Sequence, residues 1–360
     1  MGGFVDWSET LLKDLTEAPG VPGQEDEVAR VMERYLALMA EISYDRLGSL
    51  IAKKKGNKET PKVLLAGHMD EVGFMVKDIT KDGYIKFLPL GGWWGHVALA
   101  QRMRIYTKKG PVVGVTGAKP PHILPEEERK KVLDIKDMFI DVGVTKEFDV
   151  RKKLGVTPGD AIVPESPFTV LANRRMYLAK ALDNRFGCAA VVEVLHRFTK
   201  ISHPNALYGV GSVQEEVGCR GAGTAAHTIE PDVALILDVG IAQDTPGMEP
   251  DKKERMGGGV TILAYDGGMI PSKRLLDLTI ATCEKEKIKY HLTAMERGTT
   301  DGAKVHVSAS GVPTIALGAP TRYIHTHQAM LLRDDYDAAV KLVVALVKKL
   351  DAKTVAGLHK

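Results

Sequence analysis

Helical and extended patterns of hydrophobic residues alternate over most of the chain. Near the N-terminus, apolar residues spaced three and four apart predict a helix capped by Ser8 and a second helix over residues 25–40. A wholly apolar strand follows at residues 63–66. From residue 178 onward strands and helices alternate again, ending in an amphipathic helix over residues 334–350. Such alternation predicts an α/β fold whose sheet is covered by helices on both faces.

A different pattern occupies residues 71–165. Short alternating segments such as RMRIYTKK and VVGVTG are separated by the turn sequences GG, KGP and KPPH, which is typical of β-strands joined by tight turns. Only the charged segment PEEERKK interrupts them with a helical pattern. We therefore predict a discontinuous α/β domain, residues 1–70 and 166–360, with a smaller β-rich domain inserted at residues 71–165.

Composition and charge narrow the class of protein. The 360 residues are 44% hydrophobic and 26% charged, as in ordinary folded proteins. A net charge of +3 gives no reason to expect a nucleic-acid partner. No apolar run approaches the roughly 20 residues that a membrane helix needs, and no secretory signal is visible, so we expect a cytoplasmic protein without membrane contact. Three cysteines cannot form a disulfide framework and are expected to be buried and reduced.

Candidate chemistry is concentrated where the predicted strands end. Ligands of open α/β sheets bind outside the carboxyl ends of the strands. Each polar residue there, taken alone, has an ordinary structural explanation as a helix cap, a turn former or a solvated edge. Together they supply imidazole and carboxylate groups from segments far apart in the chain, which is typical of a metal centre. These residues are His68, Asp70, Asp183, Glu215, Glu216, Asp238 and His325.

The charges of this set suit two divalent cations. Asp183, Glu216 and Asp238 supply three negative charges, while the two histidines bind as neutral imidazoles. Two divalent ions and one bridging hydroxide then give a neutral site in which one carboxylate contacts both ions. The mixed nitrogen and oxygen ligands suit zinc or cobalt, with manganese as a third candidate.

Two carboxylates of the set are better suited to other tasks. Asp70, two residues beyond His68, can accept the second imidazole N–H and so fix the orientation of the ring. Adjacent side chains of an extended segment point to opposite sides, so Glu215 and Glu216 are not expected to bind the same ion. We assign Glu216 to the metal and Glu215 to proton transfer as the general base, although spacing alone leaves their order open.

Five motifs, in the same order, resemble those of the glutamyl and tetrahedral aminopeptidases, a family in which some members are named endoglucanases. The motifs are GHMDEVG at residues 67–73, AKALDNR at 179–185, QEEVGCRGA at 214–222, Asp238, and RYIH at 322–325. The resemblance covers nearly the whole chain, including the KPPH stretch. It implies a three-layer mixed sheet like that of the zinc exopeptidases and makes the insert a PDZ-like dimerisation domain.

The resemblance also implies how the metal ligands are divided. Asp183 would bridge the two ions. His68 and Asp238 would complete the first ion, and Glu216 and His325 would complete the second. Dimers of the family build a hollow tetrahedral dodecamer, so the resemblance further implies a homo-oligomer that admits only short peptides.

The chain departs from the family pattern in two places. Thr326 and His327 follow His325 where the family has Ser-Pro, which leaves His327 as an alternative ligand. The segment TTDG at residues 299–302 matches the family's glycine-rich motif only loosely. We therefore expect Asp301 to be a plain helix cap.

These observations favour a metallo-aminopeptidase that removes the first residue of short peptides by means of a metal-bridging hydroxide. A metal-dependent deacylase or amidase that acts on blocked peptides or acylated amino acids is the alternative. A glycoside hydrolase is disfavoured because the side chains of Glu215 and Glu216 diverge instead of flanking one bond. A metal-binding scaffold without catalysis is disfavoured because the base and every ligand are present. The side-chain preference stays open, with a slight preference for neutral or apolar residues, and the candidate cations for an acidic substrate are Arg220, Arg255, Arg297 and Arg322.

Overall fold

The computed structural model describes residues 6–146, 148–248 and 253–358. Its helices, in chain order, are α1 (Trp7–Glu17), α2 (Asp26–Leu36), α3 (Gly95–Ala98), α4 (Glu126–Arg129), α5 (Val150–Leu154), α6 (Leu182–Arg197), α7 (Arg220–Ile229), α8 (Lys273–Glu286), α9 (Gly302–Val305), α10 (Arg333–Lys349) and α11 (Ala352–Ala356). Among the described residues, none of these helices has both the length and the apolar character required to cross a membrane.

The strands fall into a main sheet, a small sheet and a barrel. In chain order they are β1 (Glu41–Tyr44), β2 (Leu50–Lys54), β3 (Lys62–His68), β4 (Gly73–Ile79), β5 (Ile85–Leu90), β6 (Arg102–Thr107), β7 (Gly110–Gly117), β8 (Phe139–Asp141), β9 (Ala161–Pro164), β10 (Thr169–Val170), β11 (Met176–Ala179), β12 (Ala206–Ser212), β13 (Val233–Leu237), β14 (Gly240–Ile241), β15 (Val260–Tyr265), β16 (Tyr290–Ala294), β17 (Thr314–Gly318), β18 (Pro320–Arg322) and β19 (Ala329–Leu332).

The main sheet has eight strands in the order β1-β2-β12-β3-β13-β17-β15-β16. Its centre, β12-β3-β13-β17, is parallel, whereas β2 and β15 join it in the antiparallel direction. The sheet is therefore mixed, as predicted. Five further strands form a separate, smaller sheet in the order β10-β11-β19-β18-β14.

Side chains of the central strands alternate between two separate cores. Val63 and Leu65 of β3 join the apolar side chains of α1, α2, α6, α8 and α10. Leu64 and Ala66 of the same strand pack with those of α7 and α9. Successive residues of a strand point to opposite faces, so helices cover both sides of the sheet. The predicted three-layer arrangement is confirmed.

The insert is a closed barrel of six strands in the order β4-β5-β8-β7-β6-β9. Its interior has a core of its own, in which Phe74, Ile105 and Ile162 are fully buried. Trp93 stacks on Phe74 with ring centroids 4.6 Å apart. The prediction of an inserted β-rich domain is thus confirmed, and the structure adds that its strands close on themselves.

The start of α1 corrects one detail of the sequence analysis. Asp6, and not Ser8, occupies the N-cap, where its carboxylate accepts a hydrogen bond from the backbone N–H of Glu9. Ser8 lies inside the helix, and its hydroxyl donates to the buried carboxylate of Glu193 at 2.7 Å. Both residue types favour N-caps, so tertiary contact with Glu193 decides between them.

A buried ion cluster of Glu71, Lys180 and Arg185 ties the start of the insert to the start of α6. The Glu71 carboxylate accepts from both cations. Arg185 is fully buried and also donates to backbone carbonyl oxygens, including those of Met69 at 2.8 Å and Ala18 at 2.7 Å. Burial lowers the pKa of Lys180 to about 8. The cluster therefore fixes the chain on both sides of the segment that carries Asp70.

Arg185→Leu is expected to lower the free energy of unfolding by about 3–5 kcal/mol, because it leaves the Glu71 carboxylate and several buried carbonyl groups short of donors. Arg30→Leu is the matched control, since Arg30 is exposed and pairs with exposed Glu27, where a change of less than about 1 kcal/mol is expected. Urea unfolding followed by far-ultraviolet circular dichroism compares the two. Equal midpoints for both variants would show that the cluster adds nothing to stability.

Candidate metal centre

The predicted site residues meet at one edge of the main sheet. His68 is the last residue of β3, Asp238 directly follows β13, and Glu215 and Glu216 follow β12. These strands are parallel neighbours, so their carboxyl ends open on the same crevice. Asp183 enters from the start of α6.

The backbone at Asp183 departs from the predicted helix start. Asp183 and Asn184 have non-helical φ/ψ values, and Asn184 caps the turn that follows, because its Oδ1 accepts the backbone N–H of Gly187 at 2.8 Å. The Asp183 carboxylate is therefore free to face the crevice, and the structural explanation of this residue as a simple N-cap does not hold.

The first group of candidate ligands is His68, Asp183 and Asp238. Nε2 of His68 lies 3.3 Å from Oδ1 of Asp183 and 3.9 Å from Oδ1 of Asp238. One ligand atom from each residue lies within 4.8 Å of the others. The Asp238 carboxylate also accepts the backbone N–H of Val239 at 2.8 Å, which fixes its direction.

The second group is Asp183, Glu216 and His325. Nε2 of His325 lies 3.4 Å from Oδ2 of Asp183 and 3.6 Å from Oε2 of Glu216. These ligand atoms also lie within 4.8 Å of one another. Asp183 thus presents one carboxylate oxygen to each group, which is the arrangement that a bridging ligand requires.

A turn of the inserted domain closes over the second group. The backbone carbonyl of Gly92 accepts from Nδ1 of His325 at 2.9 Å, so Nε2 is left for the crevice. A Cβ atom at Gly92 would lie 3.1 Å from Nδ1 of His325, and one at Gly91 would lie 3.0 Å from Oε2 of Glu216. The insert therefore helps to orient His325. His327, the alternative ligand, joins neither group within the described part of the chain.

Asp70 supports both the first histidine and the glutamate pair. Its two carboxylate oxygens accept the backbone N–H groups of Glu215 and Glu216, each at 3.0 Å. Nδ1 of His68 lies 3.0 Å from the backbone carbonyl of Asp70 and 3.5 Å from its carboxylate. Asp70 thus positions His68 chiefly through its main chain, and its side chain holds the turn after β12.

Glu215 lies beside the two groups and also belongs to a third one. Its Oε2 is 3.9 Å from Nε2 of His68. Ligand atoms of Glu215, Cys219 and Asp301 all lie within 4.8 Å of one another, and the three residues are buried. The neighbours Cys219 and Asp301 were not recognised as site residues from the sequence, where only the loosely matching TTDG segment pointed to this region.

Asp301 corrects a further expectation. It stands at the N-cap position of α9, but its side chain makes no capping hydrogen bond. Instead, its Oδ2 accepts a hydrogen bond from the hydroxyl of Ser212, and its Oδ1 is buried without a hydrogen-bond partner. Burial raises the pKa of Asp301 to about 6. The side chain faces Glu215 and not its own helix.

The electrostatics of the crevice show an excess of negative charge. Burial raises the pKa of Glu216 and the pKa of Asp238 to about 8 each. Burial acts to lower the pKa of His325, but its contact with Asp183 outweighs this effect and raises that pKa to about 10. For Asp183, burial is likewise outweighed, here by His325 and His68, and its pKa falls below the usual range.

These residues fit divalent cations. The negative charge of Asp183 contributes to the raised pKa values of Glu216 and Asp238 and raises that of His325, so the carboxylates of this buried region favour a cation. Oε1 of Glu216 is buried and has no hydrogen-bond partner in the structure, although buried carboxylate oxygens are normally paired or bound to metal. The donor set of imidazole nitrogen and carboxylate oxygen suits zinc and similar ions.

The ligand groups form one wall of a cavity of about 460 Å³. Apolar side chains of Val239, Ile241 and Met295 line it, together with the cation Arg297. Arg322, another candidate cation for an acidic substrate, instead donates two hydrogen bonds to Asp244. The remaining candidates, Arg220 and Arg255, do not line this cavity.

Comparisons with known proteins agree with this geometry. Residues 48–342 match the model of the M42 glutamyl aminopeptidase family. The glutamyl aminopeptidase of Lactococcus lactis is 34% identical over 349 residues, which are 96% of this chain and 97% of that protein. A TET aminopeptidase from a marine sediment archaeon of the Thaumarchaeota superposes with a TM-score of 0.95 and 44% identity, over 98% of each chain.

A second solved structure is that of the TET1 peptidase of Pyrococcus horikoshii, which can assemble into a tetrahedron or a large octahedral shell. It superposes with a TM-score of 0.84 and 30% identity, covering 95% of this chain and 100% of that one. The match to the family model covers most of the chain, and the relatives match nearly all of it. The chain therefore belongs to the M42 glutamyl aminopeptidase family and is a metallo-aminopeptidase.

Proposed function

We propose that the chain removes the first residue of short peptides with the help of two divalent cations, held by the two ligand groups. The observation that carries this proposal is the position of Asp183, whose two carboxylate oxygens lie 3.3 Å from His68 and 3.4 Å from His325. A carboxylate shared in this way is what paired cations about 3.5–4 Å apart require.

The two groups divide the ligands as the family resemblance implies. His68 and Asp238 would complete one cation site and Glu216 and His325 the other, with Asp183 common to both. Zinc or cobalt suits these donors best, and manganese is a third candidate. When bound, the two cations would polarise the scissile carbonyl and lower the pKa of the attacking water.

Glu215 is the general base in this proposal. It is buried, and its Oε2 faces the ligand groups at 3.9 Å from Nε2 of His68. From this position it can take a proton from the attacking water and pass it to the leaving amine. Burial raises the pKa of Glu215 well above its usual range, which favours proton acceptance once the negative charge around it is balanced. Asp70 contributes by holding the backbone of both glutamates.

The cavity lining bears on the preferred side chain. Val239, Ile241 and Met295 offer contact to an apolar residue, and Arg297 can approach an acidic one. Because Arg297 is exposed, its attraction for a carboxylate is screened by water and is worth little more than about 1 kcal/mol. We therefore propose a broad preference for neutral residues that also accepts acidic ones.

Hydrolysis of aminoacyl-p-nitroanilides by metal-stripped protein, with zinc, cobalt or manganese added back, tests the proposed reaction. We expect release from free-amine substrates that depends on added cation, and little release from N-acetylated controls. Leucyl and glutamyl substrates should both be cleaved, and Arg297→Gln should lower only the glutamyl rate, by about 5-fold. Equal turnover of the acetylated control would contradict the aminopeptidase mechanism and favour the deacylase alternative.

We further propose that the barrel, within residues 71–165, is a dimerisation domain and that the remaining residues, 1–70 and 166–360, form the catalytic domain. The barrel exposes large apolar side chains, including 63% of Trp94 and 72% of Ile123, and exposed apolar surface is common at protein interfaces. The assembly of the P. horikoshii relative into a closed shell supports a similar dodecamer for this chain.

Sedimentation equilibrium tests this assembly. We expect a mass of about twelve times the 39.2 kDa of one chain, because homo-oligomers of this kind close by point-group symmetry. A dodecamer should also leave short peptides as substrates while folded proteins with free N-termini remain uncut. A monomer or an isolated dimer at micromolar concentration would contradict the proposed shell.

A further inference from the structure

The side chain of Cys219 does not cap α7, the helix that follows it. It stands at the N-cap position of α7 in the left-handed region, with φ of 53°, and makes no capping hydrogen bond. Its backbone N–H donates to the carbonyl of Glu215 at 2.8 Å, which closes a tight turn after β12. This turn returns the thiol to the side chain of Glu215.

We propose that Cys219 is a positioning residue for Glu215, whose thiol donates a hydrogen bond to Oε1 and so keeps Oε2 turned towards the ligand groups. The inference rests on the proposed role of Glu215 as the general base. Glu215 is then held at two points, since Asp70 accepts its backbone N–H and Cys219 donates to Oε1 of its side chain.

The distances are consistent with this division of the two carboxylate oxygens. Sγ of Cys219 lies 3.3 Å from Oε1 of Glu215, within the range for a sulfur donor. Oε2 of the same carboxylate lies 3.9 Å from Nε2 of His68. The carbonyl oxygen of Thr300 is a second acceptor for the thiol, at 3.4 Å. The two oxygens are chemically equivalent, so the thiol acts by fixing the orientation of the carboxylate plane, in which one oxygen faces the ligand groups.

Glu215 lies beside a second buried carboxylate, so a neutral hydrogen-bond donor such as a thiol stabilises its side chain. The group contains two buried carboxylates, Glu215 and Asp301, within 4.8 Å of each other. Asp301 is held by Ser212 through Oδ2, so it offers Glu215 repulsion and no donor. Burial raises the pKa of the Cys219 thiol far above its usual range, so the sulfur keeps its proton and remains a donor. Only 1% of Cys219 is exposed, so water does not replace it.

The test compares Cys219→Ala with Cys219→Ser, which have nearly equal volumes but differ in one O–H donor. We expect Cys219→Ala to lower kcat by about 5- to 10-fold, with KM changed by less than about 2-fold, since one buried hydrogen bond is lost. Cys219→Ser should recover kcat to within about 3-fold of the original protein. Bound metal, measured on each variant, should match that of the original protein, and the thermal midpoint of Cys219→Ala should fall by no more than about 4 °C, as expected for one lost hydrogen bond.

A double-mutant cycle with Glu215→Gln separates positioning from packing. If the thiol acts through Glu215, Cys219→Ala should cause no further loss in the Glu215→Gln background, because the two residues act as one unit. Equal losses in the Ala and Ser variants, additive losses in the cycle, or a third metal ion per chain that disappears with Cys219→Ala would overturn the inference.

The same cycle distinguishes failure of this inference from failure of the proposed function. An inactive Glu215→Gln with a fully active Cys219→Ala would reject only the positioning role of Cys219. A fully active Glu215→Gln would reject the assignment of Glu215 as the base, and the role of Cys219 would fall with it.

Discussion

Asp183→Asn should remove most of the bound metal and nearly all of the activity. Asp183 is the residue common to both ligand groups, so the substitution replaces one of its two ligand oxygens by an amide nitrogen that cannot bind a cation and removes the negative charge that both sites share. Stabilisation by a bound cation is worth several kcal/mol in the transition state, so a loss of about 10³-fold in kcat is expected. We expect the metal content, measured by mass spectrometry after gel filtration, to fall from two ions per chain towards none.

Asp277→Asn is the matched control, because Asp277 lies on α8, is more than half exposed and pairs with exposed Lys273. It should keep both ions and full activity. Without metal, the thermal midpoint of Asp183→Asn should differ little from that of the metal-stripped original protein, because loss of the contacts with His68 and His325 is offset by weaker repulsion of Glu216 and Asp238. An Asp183→Asn protein that still holds two ions would rule out the bridging role.

The convergence of the site could be predicted from the sequence because it follows from topology. His68, Asp238 and the Glu215–Glu216 pair follow strands with continuous apolar cores, and parallel neighbours end at the same edge of a sheet. The alternation of helices and strands was sufficient to place these ends together. Their order along the sheet, and hence the distances between them, required the pairing of β12, β3 and β13.

Side-chain contacts between segments far apart in the chain could not be predicted from the sequence pattern. The carbonyl of Gly92 meets His325 because the barrel docks against the catalytic domain, and nothing in the local pattern of either segment specifies that docking. The same is true of Asp301, whose local sequence favours a cap, while Ser212 and Glu215 determine where its side chain lies. The preference of a short polar side chain for capping its own helix is overridden here by buried polar partners from elsewhere in the chain.

Which of the two glutamates binds metal and which acts as the base cannot be read from their spacing in the sequence and requires the geometry. Adjacent side chains diverge, but a sequence does not say which one turns towards the metal. In the structure Oε2 of Glu216 lies 3.6 Å from His325, whereas Glu215 belongs to neither group that contains Asp183. The geometry therefore supports the proposed assignment, which the matched pair of glutamine variants can decide.

Glu215→Gln and Glu216→Gln should fail for different reasons. Glu215→Gln keeps the shape of the side chain but cannot take a proton, so kcat should fall by about 10²–10⁴-fold, the usual contribution of general acid–base catalysis. It should retain two metal ions per chain and a nearly unchanged KM. Glu216→Gln should lose one ion, and part of its activity should return at high metal concentration, because a weakened ligand can be offset by mass action.

Glu59→Gln serves as the control for both variants, since Glu59 is exposed and pairs with Lys53 on the surface. If Glu215→Gln lost metal and Glu216→Gln retained it, the assignment of base and ligand would be reversed. Loss of metal from both would mean that the pair acts together in cation binding, and the proton would then have to be carried by another buried carboxylate. Asp301 is a candidate for that task, because its side chain lies in the group with Glu215 and its buried Oδ1 has no hydrogen-bond partner.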